Sequence, residues 1–133
     1  YDGLIIASLI EKEAKLDEER PVIASVITNR LEEGMALQID ATIIYALGVN
    51  SGEVTTADLQ VESPYNTYLY TGLPPTPIGG VRTASIEAAA SPADTDYYYY
   101  VLIDSDGTHG FSETLEEHNE KKQAAKDAGV LTP

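Results

Sequence analysis

The stretch LIIASLIEKEAKLDEERPVIASVITNRLEEG (residues 4–34) contains two apolar stripes at helical spacing, separated by a charged segment. Apolar residues that recur every three or four positions are typical of an amphipathic helix, and they predict a first helix over residues 4–16. In the second half, Asp17 is a candidate N-cap, Pro21 is tolerated within the first helical turn, and Gly34 is a C-terminal stop. We therefore predict a second helix that ends before Gly34.

The segments that follow predict shorter helices. DATIIYALG indicates a helix over residues 41–47 that ends at Gly48. Thr55, followed three residues later by Asp58, resembles a capping box at the start of another short helix. TASIEAAASP predicts one more helix, which closes before Pro92 because proline cannot continue a helix.

The remaining segments predict one long loop, a hairpin and a terminal helix. Residues 63–80 are rich in Pro, Gly, Tyr and Thr without a helical period, and loops of this length are usually functional. A strand over residues 97–103, an Asp-Ser-Asp-Gly turn and a return strand through His109 and Phe111 predict a β-hairpin. The charged final segment predicts a solvent-exposed helix. The fold class is therefore α+β: a mainly helical single domain over residues 1–133 with a small antiparallel β-hairpin.

Composition and charge exclude several classes of function. The chain has 133 residues and a formal net charge of −14, with only eight Lys and Arg residues. Such a surface repels nucleic-acid phosphates and anionic lipid, so a neutral, polar or cationic partner is favoured and no nucleic acid is expected. The absence of cysteine excludes disulfides and thiolate chemistry, and two histidines far apart in sequence make a poor metal set. No segment has the roughly 20 apolar residues of a membrane span.

The first helix carries two carboxylates, Glu11 and Glu13, that point to different sides of it. Helical steps of three, four and seven residues back from Glu13 lead to the apolar residues Ile10, Leu9 and Ile6. A carboxyl on an apolar face is costly to ionise, so the pKa of Glu13 is expected to rise, as a general acid requires. Glu11 instead lies four residues before Lys15, which predicts an ordinary surface ion pair. The alternative interpretation of Glu13 is a carboxyl at the edge of the core that extends into solvent or accepts hydrogen bonds from a neighbouring loop.

Two further segments offer groups that could hold a substrate. Gln38 and Asp40 precede the helix at residues 41–47, where Asp40 or Thr42 is also a candidate N-cap. Asp40 is the candidate for a second carboxylate if the chemistry requires two, as in most glycosidases. In the long loop, Tyr65 offers an aromatic face, Asn66 an amide and Thr67 a hydroxyl. These groups are suited to a neutral sugar. An asparagine in a loop can equally be turn-forming.

Several segments, taken in order, resemble a known family. They are ASLIEKEA, ERPVIASVITNRLEEGMALQIDATIIYALG, SPYNTYLYTGLPPTPI, SIEAAASPADTDYYYYV and GTHGFSETLEEHN. From about Ala7 to Asn119 the sequence resembles the catalytic domain of the MltG/YceG-like endolytic murein transglycosylases. The resemblance implies a mainly helical fold with a lysozyme-like cleft around one catalytic glutamate.

The resemblance also implies a reaction. Such enzymes cut the MurNAc-β-1,4-GlcNAc bond of peptidoglycan without water. One glutamate acts first as acid and then as base. The MurNAc C6 hydroxyl attacks C1 and gives a 1,6-anhydro end. The family's acid lies in the Glu-Lys-Glu motif, and a following small residue, as in Glu13-Ala14, is typical of other lytic transglycosylases. No metal and no cofactor are implied. The positions expected to line the cleft and hold the sugar are Gln38, Asp40, Tyr65 and Asn66, beside Thr67.

For the parent protein, the resemblance implies a single N-terminal anchor in the bacterial cytoplasmic membrane. The catalytic domain would then lie on the extracytoplasmic face, in the cell envelope, with peptidoglycan glycan strands as substrate and peptidoglycan synthases nearby. Two alternatives stay open, a glycan-binding module without turnover and a water-using muramidase on the same scaffold. A pyridoxal-phosphate lyase is disfavoured, because none of the lysines lies in an apolar pocket sequence.

Overall fold

The structure, a computed structural model, describes residues 1–48 and 54–131. Its helices and strands follow one another in the order α1 (Asp2–Glu13), α2 (Arg20–Glu33), α3 (Asp40–Leu47), α4 (Thr83–Ala90), β1 (Tyr99–Leu102), β2 (His109–Ser112) and α5 (Leu115–Asp127). This order confirms the α+β class, mainly helical with one antiparallel hairpin. Within the described ranges, none of the helices is long and apolar enough to cross a membrane.

The apolar core lies where α1, α2 and α4 pack on one another. The stripes that predicted the first two helices face this core, and Ile10, Ile23 and Ile27 are almost completely buried. Burying one such side chain stabilises the fold by roughly 1.5–3 kcal/mol, so packing rather than helix propensity holds these helices. The buried members of the core cluster are Leu9, Ile10, Ala14, Ile23, Ala24, Ile27, Leu37, Ile39, Ile78 and Ala88.

Helix α1 ends earlier than its apolar spacing predicts. The prediction extended to residue 16, whereas α1 ends at Glu13 and Ala14 has an extended backbone with ψ 135°. Beyond this point the four-residue spacing of a helix no longer brings side chains together. The predicted ion pair of Glu11 with Lys15 is therefore wrong, because Lys15 lies past the end of the helix.

Glu11 has a different set of partners. Its carboxylate accepts hydrogen bonds from the Arg82 backbone N–H (3.1 Å) and the Ser85 hydroxyl (2.9 Å). It also forms ion pairs with Arg82 (3.2 Å) and with the buried Arg20 (3.6 Å). The Arg82 backbone hydrogen bond, followed by Ser85 and the two arginines, lowers the pKa of Glu11 below its ordinary value against the opposing effect of burial. Glu11 therefore ties the end of α1 to α2 and to the start of α4.

The start of α2 also differs from the prediction. Residues 17–19 form a 3-10 turn, and α2 begins at Arg20 with Pro21 in its first turn. The prediction of Asp17 as N-cap is wrong, because its carboxylate accepts a hydrogen bond from the Arg20 guanidinium at 3.0 Å instead of from the helix backbone.

The predicted helix stops and the capping box are confirmed. Gly34 and Gly48 follow α2 and α3 with φ angles of 70° and 71°, the left-handed region that glycine adopts without strain. Thr55 and Asp58 exchange reciprocal side-chain to backbone hydrogen bonds of 2.9 and 3.1 Å. The segment that they start is only a 3-10 turn, Asp58–Gln60.

The hairpin has the predicted turn but shorter strands. β1 begins two residues later and ends one residue earlier than expected, and its Tyr100 is paired with Phe111 of β2. The Gly107 N–H donates to the Asp104 carbonyl at 3.1 Å, which closes the Asp-Ser-Asp-Gly turn. Helix α5 packs against both strands. The predicted terminal helix is confirmed and most of its positions are exposed, while Ala125 is buried.

We expect Glu11→Gln to lower the free energy of unfolding at pH 7 by about 1–2 kcal/mol, because the amide cannot form charge-assisted bonds to Arg20 and Arg82. Since the folded pKa of Glu11 is lowered, its stabilising effect is present above the ordinary value of 4.5 and is lost as the pH falls through the folded pKa. Urea unfolding at pH 7 and below pH 4.5 measures the effect. The control is Glu18→Gln at an exposed position of the same segment, and an equal loss from Glu11→Gln at both pH values would contradict the prediction.

Candidate active site

Glu13, the last residue of α1, lies next to the hairpin. Its carboxylate accepts a hydrogen bond from the Tyr100 hydroxyl at 2.7 Å. Tyr100 belongs to β1 and packs against the apolar core. Glu13 is partly exposed and lines two adjoining pockets. The carboxyl is therefore in contact with the core on one side and open to a cleft on the other.

Burial raises the pKa of Glu13 above its ordinary value of 4.5, and the negative charge of Asp40 raises it further. The Tyr100 hydrogen bond and the charges of His109 and Lys15 act in the opposite direction without reversing the shift. Burial also raises the pKa of Tyr100 well above its ordinary value, so the phenol stays a donor. The predicted rise in the pKa of Glu13 is confirmed, and its carboxyl retains a proton at higher pH than a solvated glutamate.

Asp40, the first residue of α3, lies beside the same cleft. The predicted N-cap role is wrong for both Asp40 and Thr42, because no side chain caps α3. The Asp40 carboxylate accepts a hydrogen bond from the Tyr68 hydroxyl, and the Thr42 hydroxyl donates to the backbone carbonyl three residues earlier at 2.7 Å. Burial, together with the bond to Asp40, raises the pKa of Tyr68, which therefore also remains a donor. The cleft thus contains two carboxyl–tyrosine pairs, Glu13–Tyr100 and Asp40–Tyr68.

Two pockets meet at Glu13 and Asp40. The first, of about 480 Å³, extends between the Gln38 segment and the wall formed by β1 and α5. The second, of about 580 Å³, extends along α3. Both volumes fall within the range of small-molecule sites. Glu13 and Asp40 line both pockets, so an extended polymer that passes over the two carboxyls enters both.

Gln38 has a strained backbone at the edge of the first pocket. Its φ angle is 54°, in the left-handed region that residues other than glycine rarely adopt. The Gln38 N–H donates to the Thr67 carbonyl at 3.2 Å, and the Ile39 N–H donates to the Thr67 hydroxyl at 2.9 Å, so the long loop holds this conformation in place. Such strain concentrates at functional sites. The exposed Gln38 side chain lines the pocket, and its contact with substrate stays a prediction.

Asn66 lies inside the long loop rather than along either pocket. It is fully buried, and its amide donates to the carbonyls of Leu59 (3.0 Å) and Val61 (2.8 Å). Its side-chain oxygen accepts hydrogen bonds from the backbone N–H groups of Tyr68 (2.9 Å) and Leu69 (3.2 Å). These bonds assign Asn66 the turn-forming role, and its contact with substrate stays a prediction.

Tyr65 and Thr67 also lie behind the cleft surface. The Tyr65 hydroxyl is bonded to the Thr76 hydroxyl at 2.7 Å, within the same loop. The buried Thr67 hydroxyl is bonded to the Thr42 hydroxyl at 2.9 Å and so joins the loop to α3. Direct substrate contact by these two residues stays a prediction, whereas their bonds support the cleft from behind.

The sequence prediction missed Arg30, which joins three parts of the cleft wall. Its guanidinium donates to the carbonyls of Tyr98 (2.7 Å) and Ala36 (2.9 Å) and lies 5.0 Å from the centre of the Tyr99 ring. Arg30 is buried on α2, three residues after the core residue Ile27. An arginine on a buried stripe was the signal that could have identified it, because such a charge needs several partners.

One face of α5 was also missed as part of the cleft. Its residues in the first pocket recur at helical spacing, and they are Leu115, His118, Asn119 and Lys122. His118 stacks on Tyr99 with ring centres 5.1 Å apart. The spacing within the charged segment was present in the sequence, but only the hairpin beneath α5 shows which face it covers.

His109 has a structural explanation. Its ring Nδ1 lies 2.9 Å from the Glu19 carboxylate, and its backbone N–H donates to the same group at 3.0 Å. The ring also meets Tyr100 edge-on at 5.6 Å, so it supports the phenol that contacts Glu13. Among residues 1–48 and 54–131, His, Asp and Glu side chains form no group of three that could hold a metal ion.

The fold and the site together define a class of protein: a mainly helical domain in which one proton-retaining glutamate lies in the middle of an open cleft. The chain belongs to the YceG-like family, whose family model matches residues 1–124. This match confirms the resemblance seen in the sequence.

Similar proteins are known from several bacteria. The chain is 48% identical over 120 residues to the endolytic murein transglycosylase of Bacillus subtilis, covering 90% of this chain and 33% of that protein. It is 35% identical over 121 residues to the endolytic murein transglycosylase of Streptococcus pneumoniae, covering 87% and 22%. The crystal structure of a yceG-like protein from Listeria monocytogenes superposes with a TM-score of 0.86 at 48% identity, covering 89% and 38%. The chain thus spans well under half the length of these proteins.

We expect Glu13→Gln to make the stability of the protein less dependent on pH. Because the pKa of Glu13 is raised in the folded protein, folding favours the protonated carboxyl. This contribution of Glu13 to folding stability is fully present below pH 4.5 and is lost as the pH rises through the folded pKa. Glutamine stays neutral and can still accept the Tyr100 hydrogen bond. Urea unfolding of both proteins across this range should show the wild type losing stability relative to the variant as the pH rises, opposite in sign to Glu11→Gln. A difference that does not change with pH would contradict the prediction.

We expect Asn66→Ala to destabilise the protein by about 3 kcal/mol or more, because it leaves buried backbone groups without partners. Thermal or urea unfolding measures the loss. The matched control is Asn119→Ala, at an exposed position of α5 that lines the first pocket, where a change within about 0.5 kcal/mol is expected. Equal stability of the Asn66 variant and the wild type would refute the structural role.

Proposed function

We propose that this chain is the catalytic domain of a peptidoglycan lytic transglycosylase, in which Glu13 is both the acid and the base. The observation that carries the proposal is the position of Glu13, a carboxyl with a raised pKa in the middle of an open cleft. The names of the family members from Bacillus subtilis and Streptococcus pneumoniae support it. The net charge of −14 suits a largely neutral glycan better than a polyanion.

In the first step, the Glu13 proton passes to the glycosidic oxygen between MurNAc C1 and GlcNAc C4. The bond between C1 and this oxygen breaks, and GlcNAc leaves with a free 4-hydroxyl. Positive charge develops on C1 and the ring oxygen, as in other glycosidic cleavages. The raised pKa of Glu13 matters here, because only the protonated carboxyl can act as the acid.

In the second step, the C6 hydroxyl of the same MurNAc residue attacks C1. Its oxygen forms the new bond to C1, and its proton passes to the Glu13 carboxylate. The product end is 1,6-anhydroMurNAc, and Glu13 is protonated again without consumption of water. The attacking group is already part of the substrate, so the entropy cost of bringing a second reactant into place is avoided.

The neighbouring groups have supporting roles in this proposal. The Tyr100 hydroxyl holds the Glu13 carboxyl through the 2.7 Å hydrogen bond and stabilises the carboxylate formed in the first step. Asp40, held by Tyr68, places a negative charge beside the site, which raises the pKa of Glu13 and favours positive charge on the sugar. Gln38 is placed to hold the sugar at the edge of the first pocket.

The second candidate function is a hydrolytic muramidase, and the observation that favours it is Asp40. Hydrolases of this kind use two carboxyl groups, one as acid and the other as base or nucleophile. Asp40 lines the same two pockets as Glu13. The products differ chemically, because hydrolysis gives a reducing MurNAc end and transglycosylation gives an anhydro end.

The location and partners of the parent protein belong to the same proposal. Peptidoglycan lies outside the cytoplasmic membrane, so a domain that acts on it would work on the extracytoplasmic face, in the cell envelope. A parent anchored in that membrane and working near the peptidoglycan synthases would meet new glycan strands there. The greater length of the family members leaves room for such an anchor in the parent protein.

We expect Glu13→Gln to reduce the release of anhydro-ended muropeptides from purified sacculi by about 10²–10⁴-fold, because the acid and base step is lost. Mass spectrometry identifies the products, since an anhydro end is one water lighter than a reducing end. The control is Glu11→Gln, two residues away on α1, assayed at a temperature at which circular dichroism shows all variants folded.

Each other outcome selects another function. Reducing ends from the wild type would establish the muramidase. Binding to sacculi without any cleavage would establish the glycan-binding module. Full activity of Glu13→Gln together with loss in Glu11→Gln would overturn the assignment of the acid.

A further inference from the structure

We propose that the pocket along α3 is a sugar subsite in which the ring of Tyr45 stacks on a pyranose of the glycan strand. The proposal deepens the proposed function and rests on it, since the occupant is the same strand that is cut at Glu13. The sequence motifs assign no substrate-binding role to Tyr45, and they indicate Tyr65 in the long loop instead.

The position of the pocket identifies its occupant. It shares Glu13 and Asp40 with the first pocket and continues past them along α3 to Tyr45 and Gly48. A strand cut at an internal bond has sugars on both sides of the acid. If one side of the strand lies in the first pocket, the other side enters the pocket that Tyr45 lines.

Tyr45 is exposed but held in place. Its relative exposure is 45%, although it directly follows two apolar residues of α3. Its ring lies 4.9 Å from the ring of Tyr65 at an angle of 52°. Tyr65 is in turn fixed by the 2.7 Å hydrogen bond between its hydroxyl and Thr76. The aromatic surface is therefore arranged before any ligand binds, which lowers the entropy cost of binding.

The chemistry of the pocket matches a neutral sugar ring. A pyranose has a flat face of C–H groups and an edge of hydroxyls. Tyr45, Ile44 and Ala41 provide an apolar surface for such a face, while Lys12 and Asp40 provide polar groups at the rim. Tyrosine suits this task, because it supplies a large rigid contact surface with only two rotatable side-chain bonds.

Tyr70 provides a matched control within the same chain. Its exposure is also 45%, and its hydroxyl is bonded to Glu62. It lies in the long loop and lines neither of the two pockets that meet at Glu13. The two tyrosines are thus equally exposed, and they differ in that only Tyr45 lines a pocket that leads to Glu13.

The test measures binding of a β-1,4-linked N-acetylglucosamine hexamer by isothermal titration calorimetry, in a Glu13→Gln background that prevents turnover. We expect Tyr45→Ala to weaken binding about three- to tenfold, because it loses one aromatic contact surface. Tyr45→Phe keeps the ring and should bind within about twofold of the parent, and Tyr70→Ala should bind unchanged. With Glu13 restored, Tyr45→Ala should raise KM on sacculi more than it lowers kcat, the signature of lost binding.

Several outcomes would overturn the subsite. They are unchanged hexamer binding in Tyr45→Ala, equal losses of binding in Tyr45→Ala and Tyr70→Ala, and no hexamer binding by the Glu13→Gln protein that retains Tyr45. Thermal unfolding of each variant separates lost contact from lost folding, and Tyr45→Phe provides a second folded variant. The proposed function is tested by a different measurement. It requires anhydro ends from the wild type, whether or not hexamer binding depends on Tyr45.

Discussion

The bonds of the Glu11 carboxylate join the end of α1, where Glu13 lies, to the neighbouring helices. Glu11 is bonded to Arg20, Arg82 and Ser85, and these contacts connect the last turn of α1 to α2 and to the start of α4. Two residues along an α-helix correspond to a rotation of about 200°, so a side chain two positions further on faces the opposite side. Glu13 therefore faces Tyr100 and the cleft, on the side of α1 opposite Glu11, and α1 ends at Glu13.

The cleft is assembled from parts of the chain that are far apart in sequence. Glu13 comes from the end of α1, Asp40 from the start of α3, and Tyr100 from the hairpin. Arg30 holds the hairpin and the segment before α3 together through backbone carbonyls, so the walls depend on a buried charge and not on apolar contact alone. The polar groups inside the long loop serve the same purpose, because Asn66 and Thr67 fix the loop that supports Gln38 and Asp40. Much of the polar chemistry near the site is thus structural, and it leaves the two carboxyls and the cleft surface free for a ligand.

Local patterns predicted most of the fold. The helices, the glycine stops, the capping box and the hairpin turn each depend on neighbours within a few residues, and they were recovered with small errors in length. Glu13 was also found from local spacing, because a carboxyl on an apolar stripe is unusual wherever the stripe packs. Two of the errors have the same physical cause. Glu11 and Asp40 were given local roles, whereas Arg82 and Tyr68 come from distant segments and bind their carboxylates. Local structure explains the other two, because α1 ends before Lys15, and Asp17 lies in a 3-10 turn where its carboxylate binds Arg20, three residues away.

Periodicity and the order of motifs in the sequence were sufficient to predict the class of fold, the helical face that carries Glu13 and the membership of the YceG-like family. The residues that surround the Glu13 carboxyl became known only from the folded chain. In the folded chain Tyr100 is hydrogen-bonded to Glu13, and Asn66 is buried inside the long loop. One face of α5 lines the cleft, and Tyr45 is exposed along α3. The reason is that a side chain's role here depends on burial and on partners from distant segments, and neither quantity is encoded in the spacing of one segment.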